Sequence, residues 1–219
     1  MSNWSGYLAL ILQGAVTTLE LTVFGSVLAL VMAFLAGLGR SSRSPAIRAV
    51  ATTYIEFFRG TSVFVQLFWA YFVLPILGVT LTPTQAGVLA LGLNVGAYGA
   101  EAVRGAIASV GREQRGACVA LNFTPFQAMR HVILPQALPL MLPTFGNNAI
   151  ELLKGTAVVS LISLSDMTFQ AQTVRSQTGS TLIPFAAILL LYYAMSCVIT
   201  YGIRSYEKKI TSGLDGIRR

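Results

Sequence analysis

The 219-residue sequence predicts an all-α protein, a polytopic membrane helical bundle of about five transmembrane helices. Hydrophobic residues make up 54% of the chain and charged residues 11%. With a mean hydropathy of +0.68, the chain is too apolar for an ordinary soluble fold. Long uncharged stretches match the thickness of a bilayer, and basic residues gather in alternate connections between them. No internal repeat divides the chain, so we predict one transmembrane domain over residues 1–219.

The length of each uncharged stretch sets the predicted spans. A helix rises about 1.5 Å per residue and the hydrocarbon core is about 30 Å thick, so roughly 20 apolar residues make one crossing. The first span is predicted at residues 10–38, with Glu20 as its only charge. Residues 60–100 carry no charge and would form a helix of about 60 Å. They must therefore belong to two spans, predicted at 47–77 and 85–106, with turn residues around Gly78 and Pro83 between them.

The second half of the chain contains two more predicted spans. One covers residues 134–162, where Pro139 and Pro143 are expected to bend the first turns. The last covers residues 182–203 and is uncharged throughout.

The distribution of positive charge orients this bundle. Twelve of the fifteen Lys and Arg residues lie in the connections between spans one and two and between spans three and four, at the span ends that adjoin them, or in the C-terminal tail. They are Arg40, Arg43, Arg48, Arg104, Arg112, Arg115, Arg130, Arg204, Lys208, Lys209, Arg218 and Arg219. Because cytoplasmic loops carry an excess of Lys and Arg, we predict an outside N-terminus and a cytoplasmic C-terminus.

The connection at residues 107–133 has the pattern of a helix, a stop and a second helix. Ala117, Ala120 and Leu121 form a small apolar stripe, and Asn122 can end the helix because asparagine tolerates the left-handed conformation. Thr124 and Gln127 then have the spacing of a capping box around Pro125. Periodicity alone allows either an ordinary amphipathic surface helix or a docking surface for a soluble partner.

This connection resembles the EAA coupling loop of ABC importer permeases, through Gly116-Ala117-Cys118-Val119-Ala120-Leu121-Asn122 followed by Ile133-Leu134-Pro135. Other segments are similar to the polar amino-acid permeases, including the histidine, glutamine, arginine and ectoine types. They are Phe58-Arg59-Gly60-Thr61, Val65-Gln66-Leu67-Phe68, Gly96-Ala97-Tyr98-Gly99-Ala100-Glu101, Arg104-Gly105 and Glu151-Leu152-Leu153-Lys154-Gly155-Thr156. The resemblance extends from about residue 14 to residue 206.

The resemblance implies that the loop docks into a groove on a cytoplasmic ATPase. The positions it assigns to coupling are Gln114, Gly116, Ala117, Cys118, Ala120, Leu121, Asn122 and Pro135. Gly116 stands where the motif has glutamate, so a charged contact to the ATPase is expected to be missing. Asn122 stands where the motif has glycine, a change that a left-handed helix cap tolerates.

The partners expected from this resemblance are two ATP-binding subunits, an extracytoplasmic solute-binding protein and a second permease copy or paralogue, in the bacterial inner membrane. The chain has no G-x-x-x-x-G-K-[ST] phosphate loop, so ATP and Mg²⁺ are expected on the partner ATPase. No cofactor is expected in this chain, and no nucleic acid as a partner. Five spans do not readily enclose a polar path, which also favours at least two permease chains.

Ionisable residues inside the spans are the candidates for the substrate path, because such residues are costly in a bilayer and usually functional. Three acids have a base three residues later on the same helix face: Glu56 with Arg59, Glu101 with Arg104, and Glu151 with Lys154. Each pair could neutralise itself, or a pair could bind a zwitterion. The predicted path residues are Asn94, Asn147, Asn148, Glu151, Lys154, Glu56 and Arg59.

Three functions are weighed against these residues. The leading one is the permease subunit of an ATP-driven importer for a polar amino acid or related zwitterionic solute, with ectoine-like solutes included. A proton-coupled secondary transporter would use Glu20 or Glu151, although five spans without a second half are few for that class. A membrane enzyme would need a converging nucleophile and base or a metal cluster. Neither is visible, because His131 has no other ligand-type residue at metal-binding spacing, and we therefore predict a transport subunit that is not an enzyme.

Overall fold

The computed structural model describes the backbone of residues 4–215 and the side chains of residues 5–209. This part of the chain is helical and contains no strand, which confirms the predicted all-α class. Arg218 and Arg219, which contribute to the predicted charge bias, lie outside the described residues.

The first helix, α1 (Trp4–Arg40), is long enough at 37 residues to cross a bilayer. A short turn leads to α2 (Pro45–Gly60), which has proline in its first turn, where no backbone N–H is missed. Next, α3 (Val63–Phe68) continues through a π-helical turn (Trp69–Val73) and a 3-10 helix (Leu74–Leu77). The helical segments on either side of residues 61 and 62 are bent by 104°.

The span predicted at residues 47–77 is therefore not one continuous helix. With its 16 residues, α2 measures about 24 Å and cannot cross a hydrocarbon core of about 30 Å. The chain breaks at Gly60, Thr61 and Ser62, where Thr61 is fully extended (φ −119°, ψ 152°). Glycine weakens a helix, and Ser and Thr hydroxyl groups compete for its backbone bonds. All three residues are uncharged, so a hydropathy criterion does not detect the break.

The fold-back to α4 (Pro83–Ser109) forms where the sequence predicts it. Gly78 adopts a left-handed conformation (φ 87°), and Thr82 and Gln85 form a capping box at the start of α4. Left-handed backbone is strained for most residues with a side chain, which explains glycine at this turn.

The connection after α4 contains α5 (Arg112–Ala120), and Asn122 ends this helix with φ 54°. Thr124 and Gln127 form the predicted capping box at the start of α6 (Pro125–Ala128). This helix continues through a π-helical turn (Met129–Ile133) into α7 (Leu134–Gly155). The predicted second helix of the loop is thus the start of the next span, and α7 continues through Pro139 and Pro143.

The chain after α7 includes a helix that the sequence analysis does not predict. Residues Thr156–Ile162 form a 3-10 helix, and α8 (Met167–Thr178) follows at an angle of 52°. Asp166 caps α8 by accepting hydrogen bonds from the backbone N–H groups of Thr168 and Phe169. The last helix is α9 (Leu182–Asp215). Within residues 4–215, three helices are long and apolar enough to span a membrane, and the total is five if each bent pair is one span.

Small residues let α4 pack closely at the centre of the bundle, against α1, α2 and α7. A Cβ atom on Gly99 would lie 2.8 Å from the Cβ atom of Ala33, and one on Gly37 would lie 2.7 Å from that of Val103. Membrane helices gain little from burying apolar surface, because lipid is equally apolar, so close backbone approach supplies the packing energy. This close packing of α1, α2 and α7 around α4 therefore determines where the charged residues of these helices lie.

Candidate functional site

The helix α5 is anchored to the bundle and exposes most of its surface. Arg115 Nη2 donates to the backbone oxygen of Ile107 over 2.8 Å, and Gln136 Nε2 donates to Gln114 Oε1 over 3.4 Å. Cys118 is buried. The arginine, the amide pair and the buried thiol together fix how α5 sits against the ends of α4 and α7.

The outer surface of α5 and the turn after it is polar in part and apolar in part. Exposed positions predicted for coupling are Gln114, Gly116, Ala117, Ala120, Leu121, Asn122 and Pro135, whereas Cys118 faces inward. Val119, Leu121 and Phe126 are 74%, 68% and 71% exposed. A Cβ atom at Gly116 would meet nothing within 4 Å, so this position is open to a partner. Large apolar side chains exposed together, here on α5, in the turn after it and in α6, are typical of interaction surfaces.

A cluster of four charged residues, the inner charge cluster, joins three helices at the same end of the bundle as α5. It consists of Arg40 of α1, Glu56 of α2, and Glu101 and Arg104 of α4. Arg40 donates to Glu101, and its Nη2 atom lies 3.6 Å from Glu56 Oε1. Arg104 Nε donates to Glu101 Oε2 over 3.0 Å. Side-chain exposure is 26% for Arg40 and 22% for Glu101, so the central pair is largely shielded from solvent.

The predicted pair of Glu101 with Arg104 is present, but the predicted pair of Glu56 with Arg59 is not, since Glu56 faces Arg40. The guanidinium of Arg59 lies over the Tyr98 ring, 5.3 Å from its centre. The sequence predicts neither the contact of Arg40 nor that of Tyr98. In the sequence Arg40 contributes only to the charge bias, because its partner Glu101 is 61 positions away.

Asn94, another predicted path residue, holds the break between α2 and α3. Its amide nitrogen donates to the backbone oxygen of Phe58 over 2.8 Å and to Gln66 Oε1 over 3.2 Å. Gln66 Nε2 donates to the same Phe58 oxygen over 3.0 Å and to Thr61 Oγ1 over 2.7 Å. These amides satisfy carbonyl groups that the broken helix leaves without a partner. The sequence assigns no function to Gln66, yet its side chain contacts Phe58, Thr61 and Asn94 and so connects the whole network.

The remaining predicted path residues lie on α7. Asn147, Glu151 and Lys154 are exposed, at a spacing that places them on one helix face together with Thr144. Asn148 is half-buried and lines a cavity of about 300 Å³ with Ser26 of α1. Among the described side chains, no ion pair joins Glu151 to Lys154 or either residue to another charge. We call this exposed polar set (Thr144, Asn147, Glu151, Lys154) the α7 polar face.

Comparison with known proteins identifies the family. Residues 25–212 match the model of the family described as "binding-protein-dependent transport system inner membrane component". The chain belongs to this family. It is therefore a membrane component of a transport system, which is the class that the resemblance to importer permeases predicts. Membership gives no support to the proton-coupled alternative.

Individual relatives align with almost the whole chain. A probable amino-acid ABC transporter permease, y4tF of Sinorhizobium fredii (strain NBRC 101917 / NGR234), is 43% identical over 95% of this chain and 90% of its own length. The glutamine transport system permease GlnP of Escherichia coli (strain K12) is 33% identical over 95% of this chain and 97% of its own length.

Solved structures share the arrangement of helices. A crystal structure of an amino acid ABC transporter with histidines superposes with a TM-score of 0.87 and 35% identity, covering 94% of this chain and 96% of that one. The MetNI methionine ABC transporter in an inward-facing conformation gives a TM-score of 0.78 at 21% identity, covering 96% and 99%. The second likeness concerns the fold alone.

Proposed function

We propose that this chain is the permease subunit of an ATP-driven importer for a polar amino acid or a related small zwitterion, with ectoine-like solutes included. The relatives are named as amino-acid permeases, and the aligned part covers nearly the whole chain. Candidate path groups of both signs are present on α7 and at the end of α2. Once a second permease chain encloses these groups, each donor or acceptor discriminates strongly among ligands, because a wrong ligand leaves it unpaired.

The observation that carries the proposal is the anchored, exposed surface of α5. A separate cytoplasmic ATPase, which binds ATP and Mg²⁺, docks on this surface and moves α4 and α7 through α5. Since Gly116 offers no side chain, the docking depends on the apolar contacts of Val119, Leu121 and Phe126. The N-terminus is then outside, and the C-terminus is on the ATPase side of a bacterial inner membrane.

The α7 polar face supports a second permease chain, either a copy or a paralogue. Uncompensated charges on a span do not face lipid, and Glu151 and Lys154 have no charged partner among the described side chains. A second chain related by a two-fold axis would enclose a polar path between two such faces. An extracytoplasmic binding protein delivers the solute, and two ATPase subunits complete the assembly.

The test of coupling replaces Ala117 or Ala120 with arginine in proteoliposomes that contain the permease, its ATPase and its binding protein. Each change places a bulky charge in the docking surface, so ATP-dependent amino-acid uptake is expected to fall at least tenfold while the chain stays inserted. Ala46→Arg is the matched control, since Ala46 is also exposed and belongs to the first turn of α2, outside the connection that contains α5. Normal stimulated uptake in both α5 variants would exclude this surface from coupling.

The test of the two-fold core introduces Asn147→Cys in a chain that also carries Cys197→Ser, because Cys197 is the exposed native cysteine. With a second copy of this chain in the assembled complex, a bifunctional maleimide is expected to join the two copies; with a paralogue, the cysteine is introduced at the aligned position of that chain as well. Leu189→Cys is the control, because Leu189 is 70% exposed on α9, a helix whose spanning window is only 11% buried. Equal cross-linking at both positions would contradict a shared polar path along α7.

A further inference from the structure

Arg59 is a cation at a break in a span, and no carboxylate among the described side chains forms an ion pair with it. It is exposed, and it is the second-to-last residue of α2, directly before the bend of 104°. The acid one turn earlier, Glu56, faces Arg40 instead. Among the described side chains, no ion pair includes Arg59. An unpaired arginine in a span is costly, so such a residue implies a partner supplied from elsewhere.

The space beside Arg59 is open, and its guanidinium is held in position. A Cβ atom on Gly60 would meet nothing within 4 Å, and the chain turns away from this point into α3. Tyr98 lies under the guanidinium, with the ring centre 5.3 Å away. A cation over an aromatic face is stabilised without using its N–H groups. The edge of the guanidinium remains available, and two parallel N–H groups match the two oxygens of a carboxylate.

The neighbouring hydrogen-bonded network keeps this geometry fixed. Asn94 and Gln66 both donate to the backbone oxygen of Phe58, the residue before Arg59. Thr61, two residues later, donates from Oγ1 to the backbone oxygen of Phe57. Gln66 Nε2 also donates to the backbone oxygen of Thr61 over 3.2 Å. The backbone before and after Arg59 is thus held by side chains of α3 and α4, which restricts the position of the arginine.

We infer that Arg59, positioned by Tyr98, binds the carboxylate group of the transported solute. This inference rests on the proposed transport of zwitterions and deepens it, because it makes a carboxylate a required part of the substrate. Neutral polar solutes and amines without a carboxylate would leave Arg59 unpaired and would not be carried. The inner charge cluster lies on the same side of the break, so a solute leaving Arg59 passes next to arginines that are already paired.

The experiment uses a chain with Cys197→Ser in proteoliposomes with ATPase and binding protein, and a mixture of radiolabelled L-amino acids as the probe. Cys118 is buried and is left unchanged. Arg59→Cys is expected to reduce uptake at least tenfold. Treatment with 2-aminoethyl methanethiosulfonate, which adds a cation to the new thiol, is expected to restore at least a third of the uptake. The 2-sulfonatoethyl reagent adds an anion to the same thiol and is expected to restore none.

Tyrosine variants separate binding from structure. Tyr98→Phe keeps the aromatic face and is expected to transport normally, whereas Tyr98→Leu is expected to raise the KM for uptake several-fold with kcat nearly unchanged. Wild-type uptake in Arg59→Cys, or equal rescue by both reagents, would overturn the inference. If the unmodified chain with its partners transports no amino acid at all, the proposed function itself fails, and the two results are thereby distinguished.

Discussion

The inner charge cluster and the charged residues on the candidate path have similar composition and opposite environments. In the cluster, Arg40 contacts Glu56 and Glu101, and Glu101 also contacts Arg104. On the path, Arg59, Glu151 and Lys154 are exposed, and none has an oppositely charged partner within the described side chains. Two acids and two bases cancel within the cluster, so it can hold helices together without a ligand. Within the described side chains the path residues have no neutralising partner, so we expect a solute or a second chain to supply one.

The largest effect is expected on the path. Glu151→Gln and Lys154→Met should each reduce ATP-dependent uptake by at least about tenfold. A binding site that recognises polar groups of its substrate loses much of its discrimination and affinity when one of its own polar groups is removed. Insertion and ATPase binding should be retained, because neither side chain forms an ion pair with another described side chain. Uptake in proteoliposomes and pull-down of the ATPase measure the two properties.

Glu20→Gln is the matched control for these variants, because Glu20 is also an exposed acid within a span and lies outside the α7 polar face. It should change uptake by less than either α7 variant. If both α7 variants transport at the wild-type rate, the pair is structural and the binding pocket lies elsewhere.

The second prediction concerns the cluster and should show as lost stability. Arg40→Met removes the partner of two acids and leaves Glu101, which is 22% exposed, with Arg104 alone. Hydrogen bonds to charged groups contribute about 1.5–3 kcal/mol, so the free energy of unfolding should fall by about 2 kcal/mol. Titration with SDS in mixed micelles measures this change. Arg40→Lys is the control and should lose less stability than Arg40→Met, because lysine keeps the positive charge. An unchanged free energy of unfolding in Arg40→Met would show that the cluster does not stabilise the packing of the helices.

The contrast between the two regions also shows what the sequence could predict. Features set by neighbouring residues were predicted correctly, such as the capping box of Thr124 with Gln127 and the left-handed Asn122. The i, i+3 rule identified Glu101 with Arg104, and it failed for Glu56 because Arg40 competes for that carboxylate from another helix. A contact over 61 positions depends on how α1 crosses α4. That crossing is set by packing between small residues such as Gly37 and Gly99, and charge spacing does not reveal it.

The break after α2 was missed for a different reason. Hydropathy averages over a window, and Gly60, Thr61 and Ser62 lie in the uncharged stretch of residues 60–100. The local signal was present, since glycine followed by two hydroxyl residues is unfavourable in a helix. The amides that hold the break open, Asn94 and Gln66, come from other helices and therefore gave no local signal.

A third prediction tests whether Asn94 acts on structure rather than on substrate. Asn94→Leu removes a donor from the Phe58 carbonyl, which Gln66 still satisfies. A net hydrogen bond contributes about 1 kcal/mol, so unfolding should become easier by about that amount, with the KM for uptake unchanged. The double variant Asn94→Leu with Gln66→Leu should lose more free energy of unfolding than the two single variants together, because the Phe58 carbonyl then has neither side-chain donor. A raised KM with unchanged stability would instead assign Asn94 to the substrate.

The smallest effect is expected from Glu56, which should contribute less to stability than Glu101, the other acid of the inner charge cluster. The Glu56 carboxylate is 62% exposed and lies 3.6 Å from Arg40, beyond hydrogen-bonding distance, whereas Glu101 is shielded and bonded to two arginines. Exposed ion pairs contribute about 0–1 kcal/mol. Glu56→Gln should therefore lower the free energy of unfolding by less than about 1 kcal/mol, and Glu101→Gln by more. The same SDS titration compares the two, and a larger loss from Glu56→Gln would mean that Arg40 depends mainly on α2 and that α1 is tied to α4 by packing alone.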